Sequence, residues 1–349
     1  MTGLPLVSVI IPALNEEHDI RECIDALRAQ DYPHDRIEVF VVDGESSDGT
    51  ARVAKEVLAT TDFATARVVR NRRATTPSNL NRGLAESRGA LVCRVDARSH
   101  IGSCYVRRCV EVLTSDKNIA VVGGAQVATA GPNAKVVERA IAKALNNPYA
   151  MGWSRYRRRR SSGPGDTVYL GAFRRHELVQ AGGWDERLLT NQDYELNRRM
   201  SRLGLVWFDA ELKVRYRPRR SLSSLAQQYR RFGRWKLAGW IEGGTPIAPR
   251  QLALVAAPLA CGVASVAVSR RNPWLPAGMV LVGLAILDSG MPEPAPALER
   301  GAALLASALV AGSWYAGVLE QLARRLAGQR LLGKNQSELV RIPAVDLGT

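Results

Sequence analysis

No cysteine framework, secretory-leader pattern or internal repeat is read in this sequence of 349 residues. The five cysteines (Cys23, Cys93, Cys104, Cys109 and Cys261) are scattered, odd in number and without CxxC spacing. That excludes a disulfide framework or zinc site as the organising feature and fits a reduced compartment. The opening run MTGLPLVSVIIPALNEE has no basic n-region, and its apolar stretch stops at Pro12. It does not read as a signal peptide, so the folded part of the chain is expected in the cytoplasm. Acidic side chains are also in deficit, 33 against 48 Lys+Arg, a net charge of +15. An excess of that size invites a nucleic-acid reading. With 46% hydrophobic residues the chain is not disordered, and with 23% charged residues it is not mostly membrane.

The charge is a property of one segment. Residues 1–150 hold 19 basic and 18 acidic side chains, residues 151–250 hold 21 and 9, and residues 251–349 hold 8 and 6. The central excess includes the run RYRRRRSSGPGD. After Arg250 three stretches lack charge: Gln251–Ser269, Asn272–Leu287 and Gly301–Leu319. A spanning helix needs roughly 20 apolar residues, so the first and third qualify on length and the middle one is short. All three are rich in Ala and Gly, which leaves a buried helical hairpin as the competing reading. If all three span, Arg270, Arg271 and the basic tail fall outside, against the positive-inside rule. A re-entrant first stretch, permitted by Pro258 and Gly262, keeps both clusters inside and is preferred. The tail after Leu331 reads as poorly ordered.

The first 125 residues alternate apolar runs with amphipathic stretches. Strands are expected at Val7–Ile11, Glu38–Val42, Ala66–Arg70 and Ala90–Val95, and helices at Glu16–Gln30, Gly49–Leu58 and Ser78–Ser87. Such alternation predicts an α/β fold with a doubly wound, mainly parallel sheet. Ligands in such sheets bind beyond the carboxyl ends of the strands. Polar clusters fall at those ends: Asn15-Glu16, Asp43-Gly44 and Asp96-Ala97-Arg98.

Five runs carry chemistry. SVIIPALNEE ends a strand and opens a helix with acidic residues, an arrangement common in strand-to-helix turns. In VVDGESSDGT, Asp43 closes a strand and is placed to accept a hydrogen bond from a base or ribose, while Ser46, Ser47 and Asp48 cap a helix. SNLNRGLAESRGALVCRVDARSH brings a helix bearing Asn79, Asn81 and Gly83 up to a strand ending in Asp96, a carboxylate suited to nucleotide phosphate and metal. In GGWDERLLTNQDYELNRRM, Asp185, Asp193 and Glu195 stand near a helix start. One of them suits a general base; capping is the plain alternative for Asp193. QQYRRFGRW sets Gln228, Arg231, Phe232 and Trp235 on a basic aromatic segment, either a solvated face or a membrane-surface anchor.

In this order and spacing the five runs resemble the family 2 glycosyltransferases, over about residues 6–235. The run NNPYAMGWSRYRRRR with DTVYLGAFRR, GGWDE and NQDYELNRR is most similar to bacterial succinoglycan-type glucosyltransferases, which are membrane-attached and extend lipid-linked oligosaccharides. The resemblance implies a GT-A fold with a catalytic domain over residues 1–235. Residues 1–125 would be its nucleotide-sugar half and 126–235 its acceptor half. A membrane-associated helical region over 236–330 and a tail over 331–349 would follow. It implies that Pro12, Ala13, Asn15, Glu16, Asp43, Asn81, Asp96 and Arg98 hold the nucleotide sugar and that Asp193 is the catalytic base. Gln228, Arg231 and Phe232, matching the family's QxxRW signature, and Arg157 and Arg158 would serve the acceptor and diphosphate.

Three departures stand out. The family's Asp-x-Asp reads Asp96-Ala97-Arg98, so either Asp96 holds Mg²⁺ or Mn²⁺ with help from phosphates and water, or Arg98 neutralises the diphosphate. His100 is a further possible ligand. Gln192 replaces the Glu of the Glu-Asp pair, and Phe232 replaces Trp. The implied reaction is an inverting transfer from a nucleotide-diphosphate sugar to a lipid-linked saccharide or polysaccharide, in envelope or exopolysaccharide synthesis. The enzyme is expected on the cytoplasmic membrane with its catalytic domain facing the cytoplasm. The Arg-rich stretch then reads as a surface for anionic lipid and polyprenyl diphosphate. The competing readings are a transferase acting on polyprenyl phosphate, a nucleic-acid-binding protein and a non-catalytic scaffold. The carboxylates at strand ends and the uncharged stretches speak against nucleic acid.

Overall fold

The computed structural model describes residues 3–150, 161–241, 274–291 and 295–329. In chain order the first elements are β1 (Val7–Ala13), α1 (Ile20–Arg28), β2 (Ile37–Asp43), α2 (Thr50–Leu58), β3 (Thr65–Arg70), α3 (Thr76–Glu86) and β4 (Leu91–Arg94). They follow the expected alternation. α1 begins four residues later than its periodicity suggests, while α2 and β4 begin one residue late. Asn15 takes a left-handed conformation (φ 56°), and Asp19 and Ile20 N–H both donate to Glu16 O, at 3.0 and 2.9 Å. The residues from 15 to 19 therefore form a turn, and the amphipathic stripe Ile20, Cys23, Ile24 and Leu27 starts after it.

There follow β5 (Ser99–His100), α4 (Tyr105–Ser115), β6 (Ile119–Ala128), α5 (Val136–Asn146), β7 (Gly163–Pro164), β8 (Tyr169–Arg174), α6 (Arg175–Gln180), α7 (Gln192–Met200) and β9 (Leu205–Tyr216). The strands form one sheet in the order β3-β2-β1-β4-β8-β6-β9-β5, with β7 on β9. The first four are parallel, and β8 joins β4 antiparallel. The doubly wound part is thus extended by an antiparallel part. β1 and β2 are almost wholly buried along their length, as strands covered on both faces must be. Since β2 and β3 lie on one side of β1 and β4 on the other, the order reverses between β1 and β4. In sheets of this kind ligands bind at such a reversal, beyond the strands' carboxyl ends.

The remaining helices are α8 (Leu222–Ile241), α9 (Leu275–Ser289) and α10 (Ala297–Leu326). The described residues divide into two compact units, one of residues 3–127 and 161–216, the other of 128–150, 217–241, 274–291 and 295–329. The core of the second unit joins Ile141 and Leu145 of α5, Leu225 and Tyr229 of α8, and Ala306 and Val310 of α10. Gly317 of α10 lies so close to α8 that a Cβ would overlap the Arg230 carbonyl. Buried Glu299 accepts from Arg139 Nε at 2.7 Å, which ties the start of α10 to α5. α10 is long and apolar enough to cross a membrane, and α9 is a shorter apolar helix. Gln251–Ser269, Arg157–Arg160 and the tail after Leu331 lie outside the described residues.

Candidate active site

Three loops leave the carboxyl ends of β1, β2 and β4, and each carries residues marked out by the sequence. The turn at Asn15 lets its side-chain carbonyl accept from Ser47 N at 2.9 Å and Ser47 Oγ at 3.2 Å. Its own N–H donates to Ser46 Oγ at 2.9 Å. Glu16 N–H donates to Thr50 Oγ1 at 2.8 Å, and Gly49 N–H to Glu17 Oε2 at 3.0 Å. Asn15 and Glu16 are thereby stitched to the loop that follows β2. Pro12 and Ala13 are the last residues of β1, paired with Val42 and Asp43. Asp43 is buried at the end of β2 and accepts from Ser46 N–H at 3.3 Å. Gly44 fits a close approach, since a Cβ there would lie 3.1 Å from Ala74 Cα.

α3 begins with a capping box between Thr75 and Ser78, a device that satisfies two otherwise unpaired backbone groups. It delivers Asn81, buried, to the loop before α7. Asn81 Nδ2 donates to Trp184 O at 2.8 Å and Glu186 Oε1 at 3.0 Å, and Oδ1 accepts from Trp184 N at 2.9 Å. Glu186 is also paired with Arg73 at 2.8 Å. The amide of Asn81 is thus committed to the polypeptide that carries Asp193, which stands in the first turn of α7. Asn191, just before α7, is left-handed (φ 65°).

At the end of β4 a buried arginine joins the two acids that the sequence pointed to. Arg94 Nε donates to Asp96 Oδ1 at 2.7 Å and Nη2 to Asp96 Oδ2 at 3.3 Å. Its remaining terminal nitrogen, Nη1, donates to Asp193 Oδ1. The arginine side chain is 5% exposed and that of Asp193 is 40% exposed, so the carboxylate faces outward from a buried support. Desolvation pushes the Asp193 carboxyl above the usual aspartate pKa; Arg94 opposes this and the charge of Asp96 adds to it. A carboxyl so placed is a proton acceptor with more basicity than an ordinary surface aspartate.

Arg98 donates through Nε to Glu16 Oε2 at 2.6 Å, so the cation in the second Asp position is docked on the first-strand turn. His100 Nε2 pairs with Glu22 Oε2 at 2.8 Å, which ties its ring to α1. Gln192 is buried. Gln228, Arg231 and Phe232 lie on α8 in the second unit, where Phe232 meets Tyr229 edge-on at 5.3 Å.

Sequence reasoning missed Arg94 and Tyr169. Arg94 was legible in principle: it lies two residues before Asp96, and side chains two apart share a strand face. Tyr169 opens β8, and its hydroxyl lies 2.9 Å from Ser99 Oγ. Burial, with the nearby Asp96 charge, pushes that hydroxyl above its usual pKa. Beside it Leu170 is left-handed (φ 65°) and Gly171 has φ 95°. Leucine seldom adopts that region, and such strain gathers at functional sites.

Known proteins are similar to this chain in sequence and fold. The family described as Glycosyl transferase family 2 matches residues 8–180. The chain is 34% identical over 209 residues to the probable glycosyltransferase YdaM of Bacillus subtilis, covering 58% of this chain and 48% of that protein. The match therefore spans about half the length of that relative. It is 29% identical over 258 residues to the succinoglycan biosynthesis protein ExoA of Rhizobium meliloti, covering 73% and 76%. The structure of a mannosyltransferase from Pyrobaculum calidifontis, in complex with GDP-Man and Mn²⁺, superposes with a TM-score of 0.63 at 21% identity, covering 92% of this chain and 88% of that one. With its strand-end acids set around the reversal of a GT-A sheet, the chain belongs to glycosyl transferase family 2, whose domain it carries over residues 8–180.

Proposed function

We propose that the chain is an inverting glycosyltransferase that moves a sugar from a nucleotide-diphosphate donor to a lipid-linked saccharide or polysaccharide. The observation that carries this reading is the joining of Asp96 and Asp193 through Arg94 at the sheet reversal. The donor's base and ribose would meet Asp43 and the stitched turn of Pro12, Ala13, Asn15 and Glu16. Asn81 supports that site from behind by fixing the loop at Trp184. Asp193 would take the proton of an acceptor hydroxyl whose oxygen then attacks the anomeric carbon. The bond from that carbon to the diphosphate oxygen breaks, and configuration inverts. The leaving diphosphate needs positive charge in place beforehand, and Arg98 is the cation docked on the donor turn.

A divalent ion is the family's other source of that charge, and the Pyrobaculum enzyme holds Mn²⁺. The residues here do not form a site for it on their own. Both oxygens of Asp96 accept from Arg94, whose charge opposes a second cation there, an arginine replaces the second acid, and no three His, Cys, Asp or Glu cluster among the described residues. Ions such as Mg²⁺ are held through one or two carboxylates together with substrate phosphates. No catalytic step is assigned to the ion.

Membrane attachment is proposed through the second unit. Val280, Leu281, Val282 and Ile286 of α9 are exposed apolar side chains, and α10 can span. On α8, partial burial and the charge of Arg219 hold the pKa of Arg231 below its usual value. An anionic headgroup or diphosphate would relieve that repulsion. The catalytic domain would then face the cytoplasm. Kinship with the succinoglycan biosynthesis protein supports polysaccharide synthesis as the setting of the transfer. The test is a panel of nucleotide sugars with membrane lipid extract as acceptor, reading the anomeric configuration of the product by NMR. Transfer with inversion is expected; transfer with retention would overturn the mechanism, and no turnover of any donor the assignment.

A further inference from the structure

We propose that Arg94 is a positioning residue that holds the general base: Asp96 orients Arg94, and Arg94 in turn fixes and faces Asp193. The inference rests on the glycosyltransferase reading for its catalytic meaning, and on geometry alone for the bridge itself.

Arg94 ends β4, where its backbone pairs with Ile10 of β1. The strand therefore fixes its Cα beside the sheet reversal. Its side chain is 5% exposed, and burying a guanidinium without partners is costly. Here it has one acid on each side. Asp96 receives two parallel bonds, at 2.7 and 3.3 Å, a fork geometry that only arginine offers. That leaves Nη1 to reach Asp193. The base is thus held by one oxygen on the buried side, while its side chain keeps the exposure needed to meet an acceptor hydroxyl. Asp193 also sits next to the left-handed Asn191, so the backbone and the arginine both constrain where its carboxylate points. Small errors in the placement of a reacting group cost large factors in rate. A group that does no chemistry itself is then worth much of the turnover.

Two measurements test this on the full chain. The first is thermal melting of Arg94→Met, and of Arg94→Met combined with Asp96→Asn and Asp193→Asn. Removing the arginine leaves two acids uncompensated, so the single variant melts at least 5 °C lower and the triple variant recovers at least half of that loss. A single variant that melts with the wild type, or a triple variant that melts lower still, would overturn the bridge. The second measurement is steady-state transfer with Arg94→Met and Arg94→Lys, using the nucleotide sugar that the wild type turns over. The Met variant should lose at least 100-fold in kcat with KM within fivefold, and Lys should regain at least tenfold, since one ammonium can replace part of the fork. Equal kcat in Met and Lys variants, or a loss confined to KM, would reduce Arg94 to a structural role. If the wild type turns over no donor, the glycosyltransferase reading fails while the melting comparison still decides the bridge.

Discussion

Replacing Asn81 with alanine separates a clamp from a direct nucleotide contact. In the fold its side chain makes two bonds to the Trp184 backbone and one to Glu186. Trp184 is 2% exposed, so in the variant its N–H and C=O lose their partners without gaining water. An unpaired buried polar group costs about 1–3 kcal/mol. Two such groups, partly relaxed, give an expected loss of about 3 kcal/mol. Each kcal/mol lowers Tm by roughly 2–4 °C for a domain of 150–250 residues, so the expected shift is about 6–12 °C. Because the Trp184 loop leads into α7, transfer should fall as well. Binding of UDP or GDP, followed by calorimetry below the melting range, should change less than threefold. Differential scanning calorimetry of the unliganded chain reads the first quantity. A Tm within about 2 °C of wild type would refute the reasoning. So would a normal Tm with nucleotide affinity lost, which would return Asn81 to the donor site.

Further expectations follow from the same structure. The Asp193 carboxyl is raised by desolvation and Asp96, so its basic form is lost as pH falls through a value above the usual ~3.9. The acid limb of a kcat–pH profile should therefore lie above that value, and a limb at or below it would contradict the assignment. Because the folded chain holds that proton more tightly than the unfolded one, this group's contribution favours folding at low pH and is withdrawn as pH rises through the folded value. Gly317→Leu forces a side chain into the Arg230 carbonyl, and overpacking of this kind costs about 1–3 kcal/mol or more. Limited proteolysis should show α8 and α10 released at lower temperature. Mn²⁺ titrated without nucleotide, followed by the electron paramagnetic resonance of the free ion, should show no saturable binding, because the guanidinium of Arg94 sits on both oxygens of Asp96 and its charge opposes a second cation.

The sequence foretold the parallel half of the sheet well and the site's inner support poorly, for physical reasons. β1, β2 and β4 are short apolar runs between turn residues, and such signals are local. The turn that shortens α1 depends on Asn15 meeting Ser46 and Ser47, residues about thirty positions away, which no helical period can reveal. β8 enters the sheet antiparallel beside β4 through pairings such as Cys93 with Ala172, again a long-range choice. The acids at strand ends were legible because the fold puts ligands there. What they contact was not. Arg94 reads in sequence as a charge in an apolar run, and only the approach of α7 shows why it is there. Asn81 reads as a ligand through the resemblance alone, yet its amide turns to the Trp184 loop.

The central claim is that this family 2 domain transfers sugar from a nucleotide with Asp193 as its base. Single-turnover transfer from the productive nucleotide sugar by wild type and Asp193→Asn tests it most directly, with nucleotide binding measured on both. The predicted result is equal binding and a rate reduced on the order of 10²–10⁴-fold in the variant, the usual contribution of a general base. An Asn variant that binds nucleotide and transfers at nearly the wild-type rate would contradict the claim.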